Sequence, residues 1–270
     1  YLNKELSWVK FLEYPFYSKL IGSCLTDTYE IIAFDYIPGI PLTLLAQLTP
    51  QKFMPASLVQ QLAKQMLEHT LHLHKQNLAH TDLHLRQWLW TTNHQLFLTD
   101  FGSITKLHPQ THYCRRPTPM SFKAFYPFEV YLDDLAYDGK KVDTWELGFN
   151  FFFLITKKAP FPYSNLPDLE SLISLQQISP PLLPEFNYLP KQERIFFEEL
   201  ALITQQMLNP WPENRPYIED ILKNPIFNEK LPQHQNMDFH PYPHKSSLNR
   251  KPLSFLGKKT KINHLHEKDN

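Results

Sequence analysis

The spacing of two aspartates constrains this chain more than any other feature of its sequence. Residues 80–82 read His-Thr-Asp, Gln87 follows in the same polar segment, and residues 100–102 read Asp-Phe-Gly. Asp82 is an acid that can accept a proton, and Asp100 is an acid that can hold a divalent metal ion. Phosphoryl transfer needs little more covalent chemistry than this, because its catalysis consists mainly of positioning and charge neutralisation. The pair therefore predicts a phosphoryl-transfer site.

Local patterns place both aspartates outside regular secondary structure. Apolar residues recur at helical spacing over residues 57–76, where Ser57 and Gln60 resemble a capping box. Two strand-like runs, 88–91 and 95–99, then predict a hairpin. The first aspartate is expected in the loop before this hairpin and the second at its end, in positions where functional groups are common.

The composition indicates a folded chain without a large charged surface. Its 270 residues include 27 Lys and Arg against 27 Asp and Glu, and 42% are hydrophobic. Zero net charge gives no global attraction for nucleic acid or anionic lipid, and the longest apolar run, residues 148–155, is too short to span a bilayer. The two cysteines, Cys24 and Cys114, have no disulfide or metal-ligand spacing. We therefore expect a cytoplasmic protein without nucleic-acid or membrane partners.

A change of pattern near residues 37–40 divides the chain. Before it, residues 2–13 have helical spacing, and residues 16–21 and 29–36 resemble strands. From about residue 228 the periodicity disappears and Pro, His and Lys dominate, which is typical of a disordered tail. Between these regions, further helices are predicted at 145–157, 167–178, 191–208 and 217–223.

Several short motifs occur in an order that one enzyme family shares. They are His80-Thr81-Asp82, Asp100-Phe101-Gly102, Pro127-Phe128-Glu129, Asp143-Thr144-Trp145-Glu146-Leu147-Gly148 and Asn214-Arg215-Pro216. Over residues 1–226 the chain resembles a eukaryotic-type protein kinase domain. The resemblance implies an α+β fold of two lobes, with a partial β-rich lobe over 1–37 and an α-helical lobe over 38–227, followed by the tail over 228–270.

The resemblance also implies roles for the matching residues. Asp82 corresponds to the catalytic base that orients and deprotonates a hydroxyl of a protein substrate, and Asp100 to a ligand of the Mg²⁺ or Mn²⁺ that accompanies ATP. Phe34 corresponds to the gatekeeper, and the backbone of Asp35 and Ile37 to the hinge that meets the adenine edge.

Four further residues have structural counterparts in the family. Asp143 is implied to accept hydrogen bonds from the backbone of the catalytic loop. Glu129 and Arg215 are implied to form a buried ion pair, which is costly to break from one side. Glu5 corresponds to the ion-pairing glutamate of the small-lobe helix, and the alternative is a solvated helix acid.

Three positions depart from the family pattern. Thr81 replaces the arginine that receives an activation-loop phosphate, His84 stands where a lysine usually occurs, and Gln87 replaces the asparagine that holds a second metal ion. The amide oxygen of Gln87 can still reach a metal, although its side chain is one methylene longer and Mg²⁺ tolerates little deviation from octahedral geometry. The sequence therefore predicts Gln87 as an atypical metal ligand and His84 as a member of the catalytic site.

These departures leave other interpretations open. One is a pseudokinase, in which the same fold binds nucleotide or protein as a scaffold. No glycine-rich loop and no lysine-bearing strand precede Glu5, so we expect the chain to be a fragment that begins within the small lobe. A small-molecule kinase is disfavoured, because residues 101–102, 127–129 and 214–216 follow the protein-kinase pattern.

Three histidines share the helix predicted at 57–76. His69, His72 and His74 have no carboxylate at metal-ligand spacing, so we expect exposed helix histidines and no zinc site.

Overall fold

The described part of the chain begins with an antiparallel hairpin and continues into a largely helical body. The computed structural model describes residues 8, 10, 12–26, 29–49, 52–115, 122–132, 136–161, 165–178 and 183–232. Most of the helix predicted at 2–13, together with Glu5, lies outside the described residues, and so does the predicted tail from residue 233 onward.

The hairpin consists of strands β1 (Leu20–Leu25) and β2 (Glu30–Phe34), which pair antiparallel. The first strand begins later than the predicted 16–21. The reason is that the residues before it pair elsewhere, since the N–H of Ser18 donates to the carbonyl of Leu98 at 3.1 Å and Leu98 donates to Phe16 at 2.9 Å. These two hydrogen bonds join the residues before the hairpin to the part of the chain that carries the second aspartate.

The remaining strands are short and form small sheets. Strand β3 pairs with β5, and β5 pairs with β6, in one three-stranded antiparallel sheet. Three two-stranded pairs are β4 with β7, β8 with β10, and β9 with β11. The strands are β3 (Gly39–Pro41), β4 (Leu78–Ala79), β5 (Trp88–Thr91), β6 (Leu96–Leu98), β7 (Thr105–Lys106), β8 (Tyr113–Cys114), β9 (Phe122–Lys123), β10 (Tyr137–Asp138) and β11 (Asn165–Leu166).

Helices dominate the chain after β3, as the sequence predicts. They are α1 (Leu42–Leu48), α2 (Ala56–Lys75), α3 (Gly139–Thr156), α4 (Leu169–Gln177), α5 (Lys191–Met207) and α6 (Ile218–Ile221). A strand-rich beginning followed by a helical body confirms the predicted α+β fold of a two-lobe kinase. The lobe bounds at 37 and 38 stay a prediction.

Helix α2 buries the apolar face that its periodicity predicts, including Val59, Leu62 and Met66. The predicted capping box is wrong. Pro55 stands at the N-cap without a side-chain cap, and the amide of Gln60 instead donates to the backbone carbonyls of residues 226 and 229. Because those acceptors lie far away in sequence, no local pattern could reveal them.

Helix α3 is buried along almost its whole length. It begins six residues before the predicted 145–157, since Asp138 caps it by accepting from the N–H groups of Lys140 and Lys141 at 2.9 and 3.3 Å. Gly148 allows close packing against α5, because a Cβ there would lie 2.8 Å from Cβ of Met207. The helix therefore lies at the centre of the body and can position whatever packs on its sides.

Among the described residues, no helix is long and apolar enough to cross a bilayer.

Candidate active site

Both candidate catalytic aspartates lie in loops beside the predicted hairpin, which is present as β5 and β6. The segment of residues 80–84 follows β4, and a single 3₁₀ turn, Leu85–Gln87, connects it to β5. Asp100 follows β6 after one further residue. The hairpin thus returns the chain so that the second aspartate lies near the segment that carries the first.

Asp143, in the first turns of α3, holds the backbone of this segment. Its two carboxylate oxygens accept from the N–H groups of His80 at 2.9 Å and Thr81 at 2.7 Å. The Nε2 atom of His74 lies 2.8 Å from the same carboxylate, and Asp143 is fully buried. The implied contact between Asp143 and the loop backbone is confirmed.

Thr81 requires this support because its backbone is strained. Its φ of 56° lies in the left-handed region, which a β-branched residue rarely adopts. Besides the bond from its N–H to Asp143, its hydroxyl donates to the carbonyl of Ser103 at 3.1 Å. Thr81 stands at the arginine position of the family pattern, and here its side chain connects the loop to the segment that follows Asp100.

Two further polar residues of α3 also bind the backbone of this loop, and sequence analysis missed them. Glu146 accepts from the N–H of Leu83 at 2.8 Å, and the side-chain amide of Asn150 donates to the carbonyl of Leu83 at 2.7 Å. Positions 143, 146 and 150 share one face of a helix. Polar residues at that spacing in a buried apolar helix were the signal that could have revealed them.

Asp82 is fixed by two donors that converge on one of its oxygens. The Nε2 atom of His84 lies 3.1 Å from Oδ1, and the hydroxyl of Tyr126 donates to the same Oδ1 at 2.8 Å. Burial raises the pKa of Asp82, but the hydrogen bonds from His84 and Tyr126 outweigh it and hold this pKa well below its usual range. The carboxylate is therefore ionised at neutral pH.

Tyr126 is also a residue that sequence analysis missed, because it lies in an irregular segment. Its carbonyl accepts from the side-chain amide of Gln176 at 2.7 Å. The neighbouring Phe125 stacks on the ring of His84, with 3.7 Å between centroids, and accepts at its carbonyl from Nε1 of Trp145 at 2.8 Å. The segment that carries Tyr126 is thus anchored through the backbone carbonyls of two consecutive residues, Phe125 and Tyr126.

The ion pair predicted between Glu129 and Arg215 is confirmed. The guanidinium binds the carboxylate in a bidentate manner, with 2.5 Å between Nη1 and Oε1 and 3.1 Å between Nη2 and Oε2. Arg215 is 1% exposed, and it donates further to the carbonyls of Asn209 and Pro210 at 2.7 Å each. The pair joins the end of the segment that carries Tyr126 to the loop after α5.

Asp100 presents an exposed carboxylate on a left-handed backbone, with φ of 63°. Its Oδ1 accepts from the N–H of Gly102 at 3.4 Å, and the amide nitrogen Nε2 of Gln87 lies 3.4 Å from its Oδ2. The oxygen Oε1 of Gln87 accepts from the N–H of His84 at 3.0 Å. The predicted role of Gln87 as a metal ligand requires this oxygen to face the site. In the structure it accepts a hydrogen bond within the loop instead.

The predicted hinge residues follow β2. Phe34 ends this strand, the N–H of Asp35 donates to the carbonyl of Lys19 at 2.8 Å, and the carbonyl of Ile37 accepts from Gly39 at 2.8 Å. Within the described part of the chain, no acceptor lies opposite the N–H of Ile37. Glu5, the predicted ion-pairing glutamate, lies outside the described residues.

A cavity of about 730 Å³ lies beside the hinge. It is lined by Asp35 and Ile37 together with Tyr14, Lys19 and Phe97, among others. Asp82, Gln87 and Asp100 are not among the described residues that line it, so it is separate from the two aspartates.

The expectation of exposed helix histidines is wrong for two of the three. His69 and His74 are 1% and 3% exposed. His74 pairs with Asp143, and Nε2 of His69 lies 2.8 Å from the carbonyl of Leu96. These partners belong to distant parts of the chain, which is why helical spacing alone misplaced both rings.

Comparisons with known proteins agree with this geometry. The family model described as "Protein kinase domain" matches residues 1–227. The chain is similar to serine/threonine-protein kinase ppk25 of Schizosaccharomyces pombe, with 25% identity over 83% of this chain and 49% of that protein. It is similar to CBL-interacting serine/threonine-protein kinase 24 of Arabidopsis thaliana, with 25% identity over 84% and 47%. Serine/threonine-protein kinase cds1 of Schizosaccharomyces pombe is 30% identical over 62% and 35%.

The chain thus spans about half or less of the length of these relatives. The matched region nevertheless contains every motif described above, in the same order, and extends over most of the chain. The chain belongs to the protein kinase domain family.

Proposed function

We propose that this chain is the catalytic domain of an ATP-dependent protein kinase, which transfers the γ-phosphoryl group to a hydroxyl of a protein substrate. The observation that carries the proposal is the state of Asp82. Its carboxylate is ionised, and Oδ1 is held by His84 and Tyr126. The loop that presents it is fixed to the buried Asp143.

Asp82 orients the acceptor hydroxyl in this proposal. Both donors bind Oδ1, and Oδ2 has no hydrogen-bond partner among the described residues. Oδ2 can therefore accept the hydrogen bond of the incoming hydroxyl and then its proton. Since its pKa is lowered, Asp82 is a weak base, and its contribution is mainly orientation of the nucleophile, which suits phosphoryl transfer.

Asp100 fits the role of a Mg²⁺ or Mn²⁺ ligand. Its carboxylate is exposed, and among the described residues each oxygen accepts one hydrogen bond, at 3.4 Å, which leaves lone pairs on both oxygens for a hard cation. When bound, Mg²⁺ and ATP supply the phosphoryl group and neutralise the charge that develops on it. At the hinge, the N–H of Ile37 and the carbonyl of Asp35 can meet the adenine edge beside Phe34, and Glu5 as an ion-pairing residue stays a prediction.

The names of the relatives favour serine or threonine as the acceptor. Each of the three relatives described above is called a serine/threonine-protein kinase. We therefore include a Ser or Thr hydroxyl in the proposal.

A second candidate function is that of a pseudokinase, which binds nucleotide or protein without transferring phosphate. Two observations favour it. Tyr126 places a hydroxyl against Asp82, where an acceptor hydroxyl must approach, and Gln87 uses its amide oxygen within the loop. In both cases Oδ2 of Asp82 and the carboxylate of Asp100 stay available, so we prefer the catalytic function.

The test is transfer of labelled phosphate from ATP with Mg²⁺ or Mn²⁺ to a general protein substrate. Wild type is compared with Asp82→Ala, Asp100→Ala and the control Asp220→Ala, which changes an exposed carboxylate paired with Lys223. We expect transfer by wild type and the control and none by the two site variants. Equal signals from all four proteins, together with thermal stabilisation of wild type by ATP, would favour the pseudokinase.

A further inference from the structure

The side chain of Gln87 is held between two groups that leave only one orientation for its amide. On one side is the backbone N–H of His84, which can only donate, at 3.0 Å from Oε1. On the other side is the carboxylate of Asp100, which can only accept when ionised, at 3.4 Å from Nε2. An exchange of the oxygen and the nitrogen would place donor against donor and oxygen against carboxylate. The orientation therefore follows from the chemistry of the two partners.

The backbone of Gln87 restrains the same side chain. Its carbonyl accepts from both the N–H and the hydroxyl of Thr99, at 2.9 and 3.0 Å, and Thr99 immediately precedes Asp100. Gln87 is 8% exposed and closes the 3₁₀ turn Leu85–Gln87 through its bond to His84. Turning its oxygen toward the site would remove one of the two acceptors of the His84 N–H and leave it with the carbonyl of Asp82, at 3.0 Å.

A cation ligand must present a lone pair, and the amide nitrogen of Gln87 presents hydrogen atoms instead. A cation on the Gln87 side of Asp100 would meet this positive edge. The residues present therefore do not fit a second metal ion at this position, although they fit one ion on Asp100.

We propose that Gln87 is a positioning residue for Asp100 and that the site binds one divalent cation with the nucleotide, not two. This inference rests on the proposed function, because it concerns the cation that accompanies the nucleotide. Gln87 acts through its hydrogen bond to Oδ2, which orients the carboxylate of Asp100 toward the single ion.

The test counts Mn²⁺ bound to the full chain by electron paramagnetic resonance, with a non-hydrolysable ATP analogue at saturation. We expect one Mn²⁺ per wild-type chain. Gln87→Met removes the orienting donor and should keep one Mn²⁺ with about 10- to 100-fold weaker affinity, as for other partners of metal ligands. Gln87→Glu replaces the amide nitrogen by a ligand oxygen and should bind a second Mn²⁺. The control Gln206→Glu, at an exposed position of α5, should behave as wild type.

Different failures have different meanings. Two Mn²⁺ in wild type that fall to one in Gln87→Met would make Gln87 a ligand and overturn the inference alone. An unchanged Mn²⁺ affinity in Gln87→Met would overturn the positioning role. Absence of any nucleotide-dependent Mn²⁺ in wild type would overturn both the inference and the proposed function.

Discussion

The hydroxyl of Tyr126 donates a hydrogen bond to Oδ1 of Asp82 at 2.8 Å. The two residues lie 44 positions apart in sequence and come from different parts of the site, the loop after β4 and the segment before the Phe128–Tyr131 turn. A hydrogen bond to an ionised group contributes more than one between neutral groups. This contact therefore couples the order of an irregular segment to the charge of Asp82.

Tyr126→Phe removes that hydroxyl and retains the ring. We expect the pKa of Asp82 to rise, and the free energy of unfolding at pH 7 to fall by about 1.5–3 kcal/mol. Because the folded pKa of Asp82 is depressed, its stabilisation is present above the unfolded pKa and is lost as the pH falls toward the folded pKa. The unfolded pKa is common to both proteins, so the difference between variant and wild type should persist at pH 4 and shrink only at lower pH, as the Asp82 carboxylate of the folded variant takes up a proton.

The measurements are carboxyl ¹³C resonances of aspartate and denaturant unfolding at pH 7 and pH 4. Tyr217→Phe is a matched control, because Tyr217 donates to Oδ2 of Asp138 at 3.0 Å, at another site. The control should leave the pKa of Asp82 unchanged. A pKa of Asp82 that is equal in Tyr126→Phe and wild type would contradict the coupling.

Arg215→Met tests the buried ion pair with Glu129. The substitution leaves the Glu129 carboxylate buried without its partner, and breaking a buried pair from one side costs about 3–5 kcal/mol. We expect a loss of this size in the free energy of unfolding, measured with denaturant. The double variant with Glu129→Gln should lose less than the sum of the two single variants, because no unpaired charge remains.

An exposed ion pair is the control for this comparison of single and double variants. Lys223 lies 2.7 Å from Asp220 with side chains 75% and 53% exposed, so Lys223→Met should leave stability unchanged. Additive effects of Arg215→Met and Glu129→Gln would show that the buried pair is not coupled in solution.

Sequence analysis predicted the groups whose partners are part of a recognisable motif. Asp143 with the loop backbone, and Glu129 with Arg215, were predicted because the motifs themselves encode those contacts. Contacts of Gln60 and Tyr126 were not predicted. Their partners are distant in sequence, and the contacts arise only once helices and loops have packed together.

The same reason explains the orientation of Gln87. Residue type allowed either its oxygen or its nitrogen to face Asp100, and the positions of the His84 N–H and the Asp100 carboxylate on its two sides decide between them. Helical periodicity likewise assigns the buried face of a helix from its apolar residues alone. It therefore placed His69 and His74 outside the core, although a backbone carbonyl and a carboxylate satisfy them inside it.

Gly148→Ala tests the packing of α3 on α5. The new Cβ would lie 2.8 Å from Cβ of Met207 and 3.1 Å from Leu208, and these atoms are close to the backbone and cannot move freely. Alanine gains about 1 kcal/mol of helix propensity over glycine, and overpacking costs about 1–3 kcal/mol. We expect a net loss of stability in thermal unfolding.

Gly22→Ala is the control for this substitution. Nothing lies within 4 Å of a Cβ built at Gly22, which is in β1, so this variant should be as stable as wild type or slightly more stable. A Gly148→Ala variant that melts above wild type would show that the helices separate easily and that the close approach is not required.

His69 is a buried neutral ring whose two nitrogens both have partners. Nε2 lies 2.8 Å from the carbonyl of Leu96, which requires a donor, and Nδ1 lies 3.2 Å from the hydroxyl of Tyr14, which can donate to it. Burial lowers the pKa of His69 from 6.5 to about 4. The neutral form with its proton on Nε2 thus satisfies both contacts.

His69 should therefore make the fold sensitive to acid. Its folded pKa of about 4 lies below the unfolded value of 6.5, so the unfolded state takes up the proton first and stability falls as the pH drops through this interval. The expected contribution of His69 to this loss, between pH 7 and pH 5, is about 2 kcal/mol. In denaturant unfolding at both pH values, His69→Gln should show a smaller loss than wild type, whereas His94→Gln, at an exposed ring, should match wild type. An equal loss in His69→Gln and wild type would exclude His69 as a source of the acid sensitivity.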